Sequence, residues 1–184
     1  MRKALIPILA LMSLGAASIF AQGVVTFANS GSGLNAPVTN AVTGQMLSGS
    51  GFLVQCYAGP ANTVESALTP IGSSTTFLSG LAAGYFFGGL ETNGFVLPGT
   101  TGTFQARAWT AGFATYEAAL VAAQSDSQVM VGKSIVFQNA TGISSPAILT
   151  GLQSFGIAPV SEPSLIGFLG CGIAALLCHR RRRR

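Results

Sequence analysis

Between residues 23 and 159 the apolar residues come in short runs, and each run is closed by a cluster of Gly, Pro, Asn or Ser. The runs are rich in Val, Phe, Thr and Tyr, a composition typical of β-strands, whereas the clusters are typical of turns. This pattern predicts a mainly β domain, built as a β-sandwich or jelly roll with one short helix. The clearest predicted strands are 23–29, 51–59, 102–110, 133–140 and 151–159.

The predicted strand 102–110 carries different side chains on its two faces, because successive residues of a strand point to opposite sides. One face has Phe104, Ala106 and Ala108, and the other has Gln105, Arg107 and Trp109. In the strand 51–59 the same rule puts Cys56 beside Val54 and Phe52. We therefore expect a packed thiol at Cys56 rather than a nucleophile, since no residue near it in sequence would activate it.

Two segments depart from the strand-and-turn pattern. Residues 114–127 place Tyr116, Leu120 and Ala123 at helical spacing, which predicts the short helix. Residues 78–90 are apolar, but they are too short and too rich in Gly and Ser for a membrane span. We expect a buried strand with glycine kinks there.

Charged residues make up only 8% of the chain, against about 25% in an average soluble protein. Seven of the nine basic residues lie at the two ends, as Arg2, Lys3, Arg180, Arg181, Arg182, Arg183 and Arg184. A nucleic-acid-binding domain needs basic residues spread over one face, so this distribution excludes that class. The other charged residues are Glu65, Glu91, Arg107, Glu117, Asp126, Lys133 and Glu162.

The N-terminal residues 1–21 have the pattern of a secretory signal peptide. A positive start precedes an apolar run from residue 4 to about 17, and small residues follow. We expect cleavage after Ala21, with Ala17 as the alternative. The other interpretation is a retained membrane anchor, for which the apolar run is short.

The segment 165–178 is apolar on every side, and His179 and five arginines follow it. As a helix its residues would rise about 21 Å, short of the roughly 30 Å hydrocarbon core, so we extend the predicted transmembrane helix to 164–179. A buried C-terminal helix of the domain is the alternative, but it would normally show a polar face.

The five arginines at the end of the chain predict the orientation of that helix. Their side chains can reach the headgroups, and a cluster of positive charge favours the cytoplasmic side. We expect them to act as a cytoplasmic stop-transfer signal, which leaves residues 22–159 outside. The predicted signal consists of Arg180, Arg181, Arg182, Arg183 and Arg184.

Val160, Ser161, Glu162 and Pro163, followed by this apolar segment and the terminal arginines, resemble the PEP-CTERM sorting signal, with Ser161 in place of the family's first Pro. The body of the chain, with FLVQCYAG at 52–59, FQARAWTAGFATYEAAL at 104–120 and LTGLQSFGIAP at 149–159, also resembles those of PEP-CTERM proteins from Verrucomicrobia-like bacteria. The resemblance implies export in a Gram-negative cell and processing by signal peptidase and by exosortase, a membrane-embedded cysteine protease. The protein would be held transiently in the inner membrane and then pass to the cell envelope, the cell surface or the extracellular space.

The inventory of reactive side chains between residues 22 and 159 is small. The only histidine of the chain is His179, which excludes a Ser-His-Asp triad or a His-bearing metal site in this body, and Cys56 is its only cysteine. A glycosidase needs two carboxylates about 5 to 9 Å apart, and only the scattered acids, such as Glu91 and Glu117, could supply them. We expect a solvated or structural ion pair between Arg107 and Glu117, and no catalytic residue, cofactor or metal ion.

These patterns predict an exported, non-catalytic structural protein of the cell surface, the extracellular matrix or a biofilm. The alternative is a carbohydrate-binding module for envelope polysaccharide or exopolysaccharide. It would use an exposed aromatic side chain such as Trp109, which shares a strand face with Arg107, because sugar rings stack on aromatic faces. In the competing interpretation Trp109 packs under the predicted helix and binds no ligand.

Overall fold

The structure is a computed structural model that describes residues 22–160. The predicted signal peptide with Ala21 lies outside the described residues. So does the rest of the predicted sorting signal after Val160, namely Ser161, Glu162, Pro163, the helix 164–179, Arg180, Arg181, Arg182, Arg183 and Arg184. Among residues 22–160 no helix is long and apolar enough to cross a membrane.

The described part is mainly β, as predicted, with one short helix. The strands are β1 Gly23–Ala28, β2 Ser30–Gly31, β3 Leu34–Asn35, β4 Val38–Asn40, β5 Phe52–Pro60, β6 Thr69–Thr76, β7 Phe87–Asn93, β8 Thr101–Thr110, β9 Met130–Lys133, β10 Phe137–Ala140, β11 Ala147–Ile148 and β12 Phe155–Pro159. The helix α1 spans Tyr116–Ala122, and 3₁₀ turns occupy Gly49–Gly51, Glu65–Ala67 and Gly80–Ala82.

The strands form a large sheet, a small sheet and a hairpin. The large sheet has the order β4-β12-β9-β8-β5-β6, and β10 pairs with the first half of β8. Its centre is the antiparallel pair β5–β8, which runs from Phe52 opposite Thr110 to Pro60 opposite Gly102. The small sheet has the order β11-β1-β7, and β2 pairs with β3.

The main core contains side chains from both sheets. Val25 and Phe27 of β1 belong to the same buried cluster as Val54 and Cys56 of β5. Phe104, Ala106 and Ala108 of β8 join this cluster, so the predicted assignment of that strand face is confirmed. The packed position predicted for Cys56 is also confirmed, since its side chain is almost completely buried.

A second core lies on the opposite face of the large sheet, under α1. Tyr57 and Trp109 of the sheet pack there with Tyr116, Ala119 and Ala123 of the helical segment. Because β8 is covered on both faces, its polar residues Gln105 and Arg107 are buried as well. The helix begins after Thr115, whose hydroxyl accepts a hydrogen bond from the Ala118 backbone N–H.

The prediction of one buried strand over 78–90 is wrong. Residues Gly80–Ala82 form a 3₁₀ turn with Leu81 fully exposed, and a strand begins only at Phe87. Gly80 and Gly84 have φ angles of +66° and +86°. Glycine adopts these angles without strain, and they turn the chain instead of extending it.

Candidate functional site

Four of the charged residues among residues 22–160 meet on the face of the large sheet that α1 covers. Arg107 comes from β8, Glu117 from α1, Glu65 from the 3₁₀ turn and Lys133 from the end of β9. We call these four residues, together with Tyr57 and Tyr116, the arginine cluster. The two remaining charged residues of the described part, Glu91 and Asp126, lie outside the salt bridges of the cluster.

Arg107 is at the centre of the cluster and is only 8% exposed. Its Nε donates to Gln105 Oε1 at 2.8 Å, its Nη1 to Glu117 Oε1 at 3.1 Å, and its Nη2 to the Glu65 backbone carbonyl at 3.1 Å. The guanidinium carbon lies 4.0 Å from the centroid of the Tyr57 ring and 5.4 Å from that of Tyr116. All three nitrogens donate within the protein, and the aromatic contacts are close enough for cation–π attraction.

The predicted ion pair between Arg107 and Glu117 is therefore present. The second carboxylate oxygen of Glu117 accepts a hydrogen bond from the Tyr57 hydroxyl at 2.9 Å. Burial is the main cause that raises the pKa of Tyr57, and the hydrogen bond to Glu117 raises it further. Tyr57 thus stays a neutral donor that holds the Glu117 carboxylate in place.

At the edge of the cluster Lys133 pairs with the Glu65 carboxylate. The hydrogen bond from Lys133 lowers the pKa of Glu65, with burial acting in the opposite direction. A general acid needs a carboxyl that stays protonated near neutral pH, and the direction of this shift does not favour that role. The cluster is arranged to attach α1 and the turn Glu65–Ala67 to the sheet.

Trp109 is fully buried, so the exposed aromatic platform of the carbohydrate-binding alternative is not found at this residue. Its Nε1 donates to the Phe113 carbonyl at 3.0 Å, and its ring meets that of Tyr116 edge-on at 6.3 Å. The competing interpretation, in which Trp109 packs under the helix, describes the structure. The Trp109 ring therefore offers no open face on which a sugar ring could stack.

Glu91 is the one acidic residue that faces inward from the small sheet, and it is 6% exposed. Its carboxyl lies against the backbone of Gly72 in β6, where any side chain would overlap it and where φ is +61°. Burial raises the pKa of Glu91. Burial and the charge of Glu91 together raise the pKa of the Cys56 thiol, which is consistent with a packed residue.

The structure does not bring Glu91 and Glu117 together as a catalytic pair. Glu91 lies on β7, on the main-core side of the large sheet, whereas Glu117 lies on α1, on the opposite face of that sheet. Among residues 22–160, no group of three or more His, Cys, Asp or Glu side chains is placed to hold a metal ion.

Sequence reasoning missed Glu65 and Lys133 as members of the cluster, and Gln105 as a hydrogen-bond partner of Arg107. The one available signal was that Gln105 and Arg107 share a strand face. The structure shows that this face is covered, and buried polar side chains must find partners. Comparisons of the chain with protein-family models, with curated proteins and with solved structures found no match.

Proposed function

We propose that this chain is an exported, non-catalytic structural protein of the cell surface, the extracellular matrix or a biofilm, with a domain of β-sandwich type. The observation that carries the proposal is the order of three elements at the C-terminal end. Val160 to Pro163 come first, the predicted transmembrane helix 164–179 follows, and Arg180 to Arg184 come last. This order resembles a PEP-CTERM sorting signal and complements the signal-peptide pattern of residues 1–21.

The arginine cluster supports a non-catalytic role for the body. A catalytic site keeps reactive groups within reach of a substrate, often with pKa values shifted toward neutrality. Here the guanidinium of Arg107 and both carboxylate oxygens of Glu117 are occupied by partners within the protein. Cys56, the only cysteine of residues 22–160, is buried.

The carbohydrate-binding alternative depended on an exposed Trp109. Because the ring is buried under α1, we do not propose this function for that residue.

The test is the intact mass of the protein recovered from its native host, measured separately in the membrane and the released fractions. We expect a released species that begins near Gln22 and ends near Glu162. A chain in which Glu162 and Pro163 are both replaced by Ala should stay in the membrane fraction, and Ser164→Ala is the matched control. Recovery of only a membrane-bound species that retains Arg180 to Arg184 would contradict exosortase processing.

A further inference from the structure

Four large apolar side chains are exposed on two neighbouring loops, and we call them the apolar rim. Val42 and Met46 lie on the loop after β4, and Leu78 and Leu81 lie on the loop after β6. Leu81 is fully exposed, and Val42 is 71% exposed. Exposed apolar side chains that are grouped in this way typically mark an interaction surface.

The two loops contact each other along residues 46–49 and 79–84. The backbone N–H of Gly84 donates to the Leu47 carbonyl at 2.6 Å. A Cβ at Gly84 would lie 2.8 Å from the Met46 sulfur, and one at Gly49 would lie 3.5 Å from the Ser79 hydroxyl.

The rim lies at the end of the domain where the chain leaves toward its C-terminal segment. The backbone N–H of Ala41 donates to the Ile157 carbonyl, three residues before Val160. The last residue of β12, Pro159, pairs with Met130, while the neighbouring Val131 pairs with Trp109 near the end of β8. Leu78 follows β6 at the same end, since Thr76 pairs with Leu53 near the start of β5.

Neither loop carries a charge. Residues 41–51 and 77–86 contain no Asp, Glu, Lys or Arg. Contact with a lipid headgroup layer would therefore desolvate no ionised side chain of these loops, while Val42 and Leu81 would lose exposed apolar area.

The chain after Val160 limits how far this end can be from a bilayer. Four residues, 161–164, separate Val160 from the apolar segment that begins at Leu165. Five extended Cα–Cα steps span at most about 18 Å. With the apolar segment inserted, Val160 at this end of the domain stays within that distance of the hydrocarbon.

We infer that the apolar rim is a membrane-contacting surface, which lies against the lipid headgroups while the C-terminal segment is uncleaved. This inference rests on the proposed function, because it needs residues 164–179 in the bilayer. The contact would orient the domain and hold the motif 160–163 at the bilayer surface.

The test uses the full chain in vesicles of phosphatidylethanolamine and phosphatidylglycerol. Cys171 and Cys178 are replaced by Ala, and a single new Cys is placed at Val42 or at Leu81 for labelling with an environment-sensitive fluorophore. The buried Cys56 stays. The matched control is Ile143→Cys, because Ile143 is also highly exposed, at 82%, and lies outside the rim. It follows Gly142, which forms a bridge with Val24 at the start of β1. Unchanged emission from Trp109 shows that each variant is folded.

We expect lipids that are spin-labelled at the headgroup to quench the fluorophore at positions 42 and 81 at least twofold more than at position 143. If the chain floats with the vesicles and the three positions are quenched equally, the inference about the rim is overturned and the membrane segment stands. If the chain does not float, the proposed membrane segment is contradicted, and the inference with it. If the fluorophores at positions 42 and 81 are buried in a dimer and are not quenched by lipid, the rim is an interface between copies of the chain. That result would also overturn the inference.

Discussion

At the scale of single residues, the decisive fact is that β8 is covered on both faces. Trp109 and Arg107 alternate with the main-core residues Phe104, Ala106 and Ala108, and they are buried by α1 instead of being exposed to solvent. Strand alternation predicts which side chains share a face. It does not predict whether a second layer covers that face.

Trp109 is the only tryptophan of the chain, so its fluorescence reports one site. We expect emission at short wavelength and weak quenching by acrylamide, because the indole is buried and its N–H is bonded to the Phe113 carbonyl. Added polysaccharide should leave the spectrum unchanged. Efficient quenching of the native protein would mean that α1 does not cover the ring.

Glu91 and Glu65 should give opposite effects of pH on stability. Burial raises the pKa of Glu91 above its ordinary value of about 4.3, so the native state resists ionisation and wild-type stability falls as the pH rises through the raised pKa. Glu91→Gln removes this penalty, and its gain in unfolding free energy over wild type should be larger at pH 7 than at pH 4.

For Glu65 the expected pH dependence of stability has the opposite sign. The lowered pKa of Glu65 stabilises the native state at pH values above the ordinary pKa of a glutamate carboxyl. That stability is lost as the pH falls through the lowered pKa. Glu65→Gln should therefore be less stable than wild type at pH 7 and closer to it at pH 4. Urea denaturation of the wild type, Glu91→Gln and Glu65→Gln at pH 4 and pH 7 measures these differences. The same pH trend for both variants would contradict the environments assigned to the two carboxyls.

At the scale of elements, α1 depends on its surroundings. A helix of seven residues, Tyr116–Ala122, is too short to be stable by itself in water. It is held by the Thr115 cap at its first turn, by the second core beneath it, and by the arginine cluster through Glu117.

The Thr115 cap can be tested alone. Thr115→Ala removes the acceptor for the Ala118 N–H and should lower the unfolding free energy by about 1 kcal/mol. Thr115→Ser keeps a hydroxyl acceptor and should cost much less. Equal losses for the two variants in chemical denaturation would contradict the role of the hydroxyl as a cap.

Arg107→Ala should cost more than the loss of a surface ion pair. It removes two aromatic contacts and three hydrogen bonds, and it leaves Gln105 and the Glu65 carbonyl without that partner, so we expect a loss of about 2 to 3 kcal/mol. Lys133→Ala breaks the half-exposed pair with Glu65 and should cost at most about 1 kcal/mol. A smaller loss for Arg107→Ala than for Lys133→Ala in denaturation would contradict a structural role for the cluster.

At the scale of the whole molecule, two cores share one sheet. Strands β5 and β8 supply Val54 and Ala106 to the main core, and they supply Tyr57 and Trp109 to the core under α1. Loss of either core exposes the same two strands to water. We therefore expect a single cooperative unfolding transition, as is usual for small domains.

Cys56 provides a measure of this cooperativity. In a chain with Cys171→Ala and Cys178→Ala, Cys56 should react with a thiol reagent only after unfolding, because it is almost completely buried and its pKa is raised. If the unfolded protein refolds faster than the reagent reacts, the labelling rate follows the unfolded fraction. A variant less stable by about 2.7 kcal/mol should then be labelled about 100-fold faster. Equal labelling rates for Arg107→Ala and the unsubstituted protein would show that a local opening exposes the thiol.

Several features of the fold follow from local patterns in the sequence. The period of two in 102–110 predicted the two faces of β8, and the helical spacing of Tyr116 and Ala123 predicted α1. Local patterns missed β6, whose sequence TPIGSSTT is typical of a turn. Pairing with β5, with a register shift beside Gly72, makes it a strand.

Residue type and spacing were enough to establish the mainly β character of the body and the separation of its charges from those of the two ends. The membrane and sorting predictions for those ends rest on the same local patterns. Only the packing of the folded chain shows that Trp109 is buried, that Glu91 lies against Gly72, and that Glu65 and Lys133 join Arg107. These outcomes depend on contacts between residues far apart in sequence, and no local pattern encodes which layer will cover a given face.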